Sequence, residues 1–237
     1  MSDLSYIREN YLSLKDEIET ISRRVGTSEP TLVCVTKSGT DEELAALVRA
    51  GAGDIGENRP QELIRRGELL RGLGLSPRLH EIGHLQSNKA GKILKVAHLI
   101  HSVGSLSLAR ELSRVATQGQ TSAKILLELN SGKEESKSGV FAEEALSFFE
   151  SVRSLPNLSI LGWMTMGPNV EGEEIRPYFR LTKTIFDTVA ACYGYDTELP
   201  ILSMGMSDSF GVAIEEGSTL VRVGRRLFIN KGDENHV

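Results

Sequence analysis

Eight short apolar segments alternate with helical segments along almost the whole chain, and this alternation is the feature that most constrains the fold. We predict strands at 31–36, 54–57, 78–82, 98–103, 123–129, 158–164, 199–204 and 219–223. Helices are predicted between them at 42–50, 60–70, 88–95, 106–117, 142–153, 174–191 and 208–215. Most of the strands are apolar throughout, which is typical of a parallel sheet that is covered on both faces. The pattern predicts an α/β fold, a single (β/α)8 TIM barrel, with a doubly wound open sheet as the alternative.

An amphipathic helix is predicted ahead of the first strand. Its apolar residues recur at steps of three and four: Leu4, Ile7, Tyr11, Leu14, Ile18, Ile21 and Val25. The same spacing would suit a coiled coil, but it stops at Gly26, just before the first strand, so we expect the helix to pack on the barrel. We therefore predict one domain over 1–230, with the extra N-terminal helix over 1–26, and a polar tail over 231–237.

Composition and charge exclude several classes of function. The net charge is −5 and no block of Lys or Arg offsets it, which argues against nucleic-acid binding. The two cysteines, Cys34 and Cys192, provide no disulfide framework and fit a reducing compartment. The N-terminus lacks a signal-peptide pattern, and no apolar run approaches membrane-spanning length. We expect a soluble, cytoplasmic protein that binds neither nucleic acid nor a membrane.

Residues 51–56 read GAGDIG and match the G-x-G-x-x-G motif of dinucleotide-binding proteins. That motif functions where it follows a strand and opens a helix, so that a pyrophosphate meets the helix N-terminus. Here it follows a predicted helix and leads into a strand. We interpret Gly51 as the residue that ends the helix.

Residues 80–84 read HEIGH and match the zinc motif H-E-x-x-H. The motif binds zinc on a helix, where its two histidines share one face. Pro77 and Gly83 place this segment on a strand and its loop, where His80 and His84 would stand about 13 Å apart. We predict no metal site.

Lys37 ends the first strand, directly after five β-branched or apolar residues and a threonine. At the carboxyl end of a buried strand, an α/β protein can hold an amine for carbonyl chemistry. A surface lysine that merely ends a strand is the alternative interpretation of this segment.

The segment 202–211, LSMGMSDSFG, ends a strand in small and hydroxyl residues and then opens a helix. Backbone N–H groups and hydroxyls in such a turn can bind an anion, and the loops after strands seven and eight are the recurrent phosphate site of TIM barrels. Arg222 and Gly224 end the next strand. Because strands one and eight are neighbours in a closed barrel, a phosphorylated aldehyde could reach Lys37 while its phosphate lies at Ser207 and Gly224. Pyridoxal 5′-phosphate (PLP) is a ligand of this kind.

At these positions the chain resembles the pyridoxal phosphate homeostasis protein family (YggS/PROSC). The resemblance runs from the first helix almost to the C-terminus. It rests on residues 35–37 (VTK), 56–58 (GEN), 80–89 (HEIGHLQSNK), 136–139 (SKSG), 203–208 (SMGMSD) and 217–224 (GSTLVRVG). The chain departs from the family at Glu81, where an aromatic residue is usual, at His84, and at 227–230, LFIN.

The resemblance implies a barrel like the N-terminal domain of alanine racemase that binds PLP without established catalysis. Carried over by position, Lys37 would form the Schiff base and Arg222 would face the pyridine nitrogen. The other implied cofactor-binding residues are Asn58 and His80 in the pocket and Ser203, Ser207 and Gly224 at the phosphate.

Two functions from different classes follow. The first is a non-catalytic carrier that holds PLP, serves PLP homeostasis and hands the cofactor to PLP-dependent apo-enzymes, acting as a monomer. The second is a PLP-dependent amino-acid racemase, which needs a second base opposite the lysine. In alanine racemase that base is a tyrosine from a further domain, and the five tyrosines here fall away from the predicted barrel mouth, so we favour the carrier. A barrel enzyme that acts on another phosphorylated aldehyde is a third alternative.

Overall fold

Eight parallel strands close into a barrel in sequence order, and the last strand pairs with the first. The computed structural model describes residues 4–135, 137–170 and 172–230, so the predicted tail lies outside the described residues. The strands are β1 (Thr31–Val35), β2 (Asp54–Glu57), β3 (Arg78–Glu81), β4 (Leu99–Val103), β5 (Ala123–Leu129), β6 (Leu158–Thr165), β7 (Ile201–Ser203) and β8 (Leu220–Val223). The (β/α)8 barrel is confirmed, and the open-sheet alternative is wrong.

Helices cover the outside of this barrel. They are α1 (Ser5–Val25), α2 (Asp41–Arg49), α3 (Pro60–Gly72), α4 (Ala90–Ile93), α5 (Leu106–Gln118), α6 (Ala145–Arg153), α7 (Arg176–Cys192) and α8 (Phe210–Glu215). In the described part of the chain, no helix is both long enough and apolar enough to cross a membrane.

The sequence predictions differ from the structure at the ends of elements. The strand predicted at 199–204 is only Ile201–Ser203. The helix predicted at 88–95 consists of a 3-10 turn, Ser87–Lys89, followed by the short α4. Thr36 and Ile82 lie just beyond the ends of β1 and β3 rather than inside them. Ends are set by turn hydrogen bonds, which leave a weaker mark on the sequence than apolar periodicity does.

Helix α1 packs against the barrel rather than pairing as a coiled coil. It lies across α2 and α8, with Ile7, Leu14 and Ile18 buried along one face. The Asn10 side chain donates to the carbonyl of Ile229 at 2.9 Å, which ties the helix to the end of the described chain. Gly26, with φ +78°, ends α1 as predicted.

Two apolar cores lie on opposite sides of the barrel wall. The larger core fills the space between the strands and the helices, while a small one inside the barrel contains Leu99, Leu126 and Met164. The rest of the interior combines apolar side chains such as Val33 and Leu220 with buried polar ones. A hydrogen bond joins His101 on β4 to Ser203 on β7, and because these strands are not neighbours, the bond crosses the barrel interior.

Glu81, the departure noted in β3, is fully buried. It pairs in register with Glu57 on β2, and one of its oxygens accepts the Gly83 N–H at 3.3 Å. The other oxygen has no hydrogen-bond partner among the described residues. Burial, together with the nearby Glu57 carboxylate, raises the pKa of Glu81 to about 8, against the opposing effect of the Gly83 N–H. At neutral pH this carboxyl is therefore mostly protonated.

The raised pKa predicts how stability depends on pH. Between the ordinary pKa of 4.5 and the folded value of about 8, the folded chain keeps a proton that the unfolded chain has lost. Stability due to Glu81 is complete below the lower value and is lost as pH rises through the upper one. Relative to Glu81→Gln, we expect the wild-type unfolding free energy to fall by on the order of a few kcal/mol between about pH 5 and about pH 9.

Urea unfolding at a series of pH values measures this difference. Glu68→Gln, at an exposed site on α3, is the matched control and should follow the wild-type profile. Parallel profiles for Glu81→Gln and the wild type would contradict the prediction.

Candidate ligand-binding site at the barrel mouth

A cavity of about 520 Å³ opens at the carboxyl ends of the strands. Five of the seven sequence-predicted site residues line it: Lys37, Asn58, Ser207, Arg222 and Gly224. They come from the ends of β1, β2 and β8 and from the loop after β7. Closure of the barrel between β8 and β1 brings residues from opposite ends of the chain to this one cavity.

Lys37 stands in the turn after β1 and its side chain is exposed to the cavity. No hydrogen bond or ion pair to another described residue engages its ammonium group. Lys15 and Lys183 pair with carboxylates at the surface, whereas Lys37 is unpaired among the described residues and lines the cavity. The amine of Lys37 is therefore available to a ligand.

The turn that carries Lys37 is held from below by Arg66 on α3. The Arg66 guanidinium donates to the carbonyl of Thr36 and, at 2.6 Å, to the carbonyl of Gly39. It also forms an ion pair with Glu57, whose carboxylate accepts the Thr36 hydroxyl. Arg66 and Glu57 are both buried, so neither charge can exchange its partner for water. We call the buried Arg66–Glu57 pair the clamp. Its hydrogen bonds to Thr36 and Gly39 hold the backbone on both sides of Lys37.

Backbone N–H groups without a partner lie on the other side of the cavity. The amides of Ser207, Asp208, Gly224 and Arg225 donate to no other described residue. Groups of unpaired amides in adjacent turns make a concave site for an anion. At the rim, the guanidinium of Arg225 forms an ion pair with Asp208. Together the amides form what we call the amide cradle.

Two glycines shape the amide cradle. Gly205 has φ +94°, and a Cβ there would lie 2.5 Å from the Cβ of Ala213, so only glycine lets this turn pack on α8. A Cβ on Gly224 would lie 2.8 Å from the carbonyl oxygen of Val35. Gly224 therefore lets the end of β8 lie directly against the end of β1.

Arg222 forms the inner wall of the cavity and is only 2% exposed. Its guanidinium donates to the carbonyl of Thr165 at 2.9 Å and to the hydroxyl of Ser203. Burial lowers the pKa of Arg222 to about 10, and the Glu128 carboxylate opposes this shift. The side chain therefore keeps its positive charge at neutral pH.

Two predicted site residues, His80 and Ser203, do not line the cavity. Both are buried one layer behind Arg222, where Ser203 bonds to Arg222 and His80 bonds to Asp54 and His101. Direct contact of either side chain with a ligand in this cavity has no support in the geometry. Their strands were predicted correctly, but their side chains point into the packed interior below the mouth.

The G-x-G-x-x-G and H-E-x-x-H matches lie in the structural contexts predicted from the sequence. Gly51 follows the last turn of α2 with φ +109° and precedes β2. His80 lies on β3 and His84 in the loop after it, where the His84 ring bonds to Ser138. Across 4–135, 137–170 and 172–230, no three His, Cys, Asp or Glu side chains are grouped as metal ligands.

A second cavity of about 370 Å³ adjoins the first and shares Met166 and Met206 with it. Glu128 lines it, and burial raises the pKa of this carboxyl to about 7, against the opposing charge of Arg222. Lys137 also lines it, but its ammonium donates to the carbonyl of Gly167 at 2.9 Å and pairs with Glu134. Lys137 thus joins the loops after β5 and β6.

None of the five tyrosines, all of which are described, lines either cavity. Tyr11 donates to the carbonyl of Gly51 at the opposite end of the barrel, and Tyr195 donates to the carbonyl of Phe186. The remaining three lie on outer helices or directly after one. Within the described residues, no tyrosine faces Lys37.

Sequence reasoning missed several wall residues, namely Ser38, His84, Met166, Met206 and Arg225. Most lie in loops after strands, where no periodicity identifies them. The one available signal was position: in a barrel, every loop after a strand lies at the mouth. Met166 directly follows β6 and Arg225 lies two residues beyond β8, so both could have been proposed on this ground.

The fold and this site define a class of protein: a parallel α/β barrel that presents an unpaired lysine opposite an amide cradle. Residues 10–231 match the family described as "Alanine racemase, N-terminal domain". The "Pyridoxal phosphate homeostasis protein" of Aquifex aeolicus is 38% identical over 216 residues, 90% of this chain and 93% of that protein. The protein of the same name from Pseudomonas aeruginosa is 34% identical over 95% of this chain and 96% of its own length.

A solved structure of a PLP-binding protein is also similar to this chain. PipY of Synechococcus elongatus, solved with PLP bound, is 29% identical with a TM-score of 0.81 and covers 94% of this chain and 100% of its own. The chain belongs to the alanine racemase N-terminal domain family and, within it, to the pyridoxal phosphate homeostasis proteins.

The clamp beneath Lys37 gives a stability prediction. Arg66→Met leaves the Glu57 carboxylate buried and unpaired, so we expect a loss of about 3–5 kcal/mol in unfolding free energy. Arg65→Met removes a neighbouring arginine that is 46% exposed and pairs only with partly exposed Asp41 and Glu62, so the expected loss is below about 1 kcal/mol.

Chemical denaturation of both variants tests the clamp. The double variant Glu57→Gln/Arg66→Met should recover part of the loss, because no buried charge is left unpaired. Equal losses for the Arg66 and Arg65 variants would show that the buried pair does not hold the turn.

Proposed function

We propose that this protein binds PLP, holds it as a Schiff base on Lys37 and serves PLP homeostasis in the cell without catalysing a reaction of its own. One observation carries the proposal: the unpaired ammonium of Lys37 shares a cavity with the amide cradle. A ligand must be both an anion and a carbonyl compound to use both features. PLP supplies an aldehyde and a phosphate on one small ring.

The residues present fit this ligand. Ser207, Gly224 and their neighbouring amides would hold the phosphate, because unpaired N–H groups are the donors that a phosphate needs. Arg222 would lie at the pyridine nitrogen, and its positive charge would keep that nitrogen unprotonated. Asn58, exposed at the end of β2, would flank the ring. The PLP-bound state of PipY supports PLP as the ligand.

The absence of catalysis is inferred from what stands opposite Lys37. A racemase needs a base on each face of the bound substrate; no described tyrosine reaches the cavity, and the His84 imidazole in its wall is hydrogen-bonded to Ser138. An arginine at the ring nitrogen also weakens the cofactor as an electron sink. The names of the relatives support a homeostatic role.

Several finer features remain predictions. They are transfer of PLP to PLP-dependent apo-enzymes, a monomeric state and a cytoplasmic location. The cavity opens to solvent at the mouth, which would allow a recipient to approach it.

Absorption spectroscopy tests the proposal directly. Wild-type protein with added PLP should show a visible band that is absent from Lys37→Ala and from Lys37→Arg, which keeps the charge but offers no reactive amine. Lys92→Ala, at an exposed site on α4 with no ion pair among the described residues, is the matched control and should retain the band.

Addition of L- or D-alanine separates the carrier from the racemase. A carrier leaves the optical rotation of either alanine unchanged. Measurable racemisation would establish the enzyme instead, and the lack of a band in all four proteins would exclude PLP as the ligand.

A further inference from the structure

A row of buried polar side chains runs through the barrel interior from the amino end of β2 to the cavity. Asp54 bonds to His80 (Oδ1–Nε2, 2.9 Å), His80 to His101 (Nδ1–Nε2, 3.0 Å) and His101 to Ser203 (Nδ1–Oγ, 3.1 Å). Arg222 bonds to the same Ser203 hydroxyl. No member is more than 6% exposed. We call this row the interior chain.

The chemistry of its ends fixes the direction of every hydrogen bond in the interior chain. Arg222 can only donate, so the Ser203 oxygen accepts from it. The Ser203 hydrogen is then satisfied only if His101 Nδ1, the other described partner of this hydroxyl, accepts it. A neutral His101 therefore carries its hydrogen on Nε2 and donates to His80 Nδ1. His80 in turn carries its hydrogen on Nε2 and donates to the Asp54 carboxylate.

The alternative direction leaves a group unsatisfied. If His80 carried two hydrogens, His101 would have to donate through Nδ1 to Ser203, whose oxygen already accepts from Arg222. The Ser203 hydrogen would then have no acceptor among the described residues. Burial, with the nearby charge of Arg222, also lowers the pKa of His101 well below its ordinary value. The arrangement with two neutral histidines satisfies every group.

The lower end of the interior chain is anchored. Asp54 also pairs with Arg78 at 2.6 Å, which holds its carboxylate at the floor of the barrel. Each bond in the row polarises the next, so the negative end at Asp54 stabilises the cation at Arg222. His98 lies beside the row, with its ring centroid 5.8 Å from that of His80, but it forms no hydrogen bond with it.

We infer that His80 and His101 are positioning residues that act through Ser203 to hold the Arg222 guanidinium in one orientation at the cavity wall. With two of its nitrogens committed to Ser203 and Thr165, Arg222 presents a fixed edge to the cavity. The identity of the group that meets this edge, the pyridine nitrogen, rests on the proposed function. The inferred orientation of Arg222 is independent of the proposed function.

The first test uses the protein without cofactor. Nitrogen-15 NMR at pH 7 should show both His80 and His101 neutral, with hydrogen on Nε2. His101→Leu removes the acceptor for Ser203 and should shift the Arg222 Nε resonance. His101→Asn, whose amide oxygen can take the place of Nδ1, should restore it, and the matched control His98→Leu should leave it unchanged.

The second test adds PLP. His101→Leu should weaken PLP binding by about tenfold and move the visible band, because Arg222 is no longer held, whereas His101→Asn should stay within about threefold of the wild type. Thermal unfolding of each variant confirms that it is folded before binding is compared.

Two results would overturn the inference: a hydrogen on Nδ1 of His101, or an Arg222 resonance that does not respond to His101→Leu. Failure of the proposed function looks different. In that case the wild type takes up no PLP while the histidine tautomers and the Arg222 shift still follow the interior chain.

Discussion

Pairing of the last strand with the first is the constraint on which this site depends. Val33 lies opposite Arg222 and Cys34 opposite Val223, so Lys37 and Gly224 leave the barrel side by side. Gly224 makes the close approach possible, because a side chain there would collide with the backbone of β1. A site that joins a lysine to an amide cradle therefore follows from barrel closure, and the loops contribute mainly the outer wall.

The interior of this barrel contains both an apolar cluster and the hydrogen-bonded interior chain. In a TIM barrel the interior is usually filled by branched apolar side chains. Here Leu99, Leu126 and Met164 form a small apolar cluster inside, and the interior chain crosses the same space. Buried polar groups are costly unless each is satisfied, and in this row the ring nitrogens of His80 and His101 and the Ser203 hydroxyl all have partners. Polar side chains therefore occupy positions that are usually apolar, and they hold the Arg222 guanidinium at the cavity.

The sequence predicted the barrel because buried parallel strands leave continuous apolar runs. It also identified Lys37, Ser207 and Gly224, since their positions after strands one, seven and eight lie at one end of the barrel. The sequence did not show which predicted site residues line the cavity and which lie buried behind its wall. His80 and Ser203 sit on correctly predicted strands, but their depth depends on how far each strand rises along the barrel, and register is a property of pairing between distant segments.

The site is built from the first and the last strand of the barrel, so it forms only after these two strands have paired. Lys37 comes from the first strand to be synthesised, while Gly224 and Arg222 come from the last. A ribosome-bound chain that lacks β8 has the lysine but neither the arginine nor the complete amide cradle. Any ligand that needs both halves binds only the closed barrel, so its binding energy adds entirely to the stability of the finished fold. Ligand binding in this protein therefore requires a closed barrel.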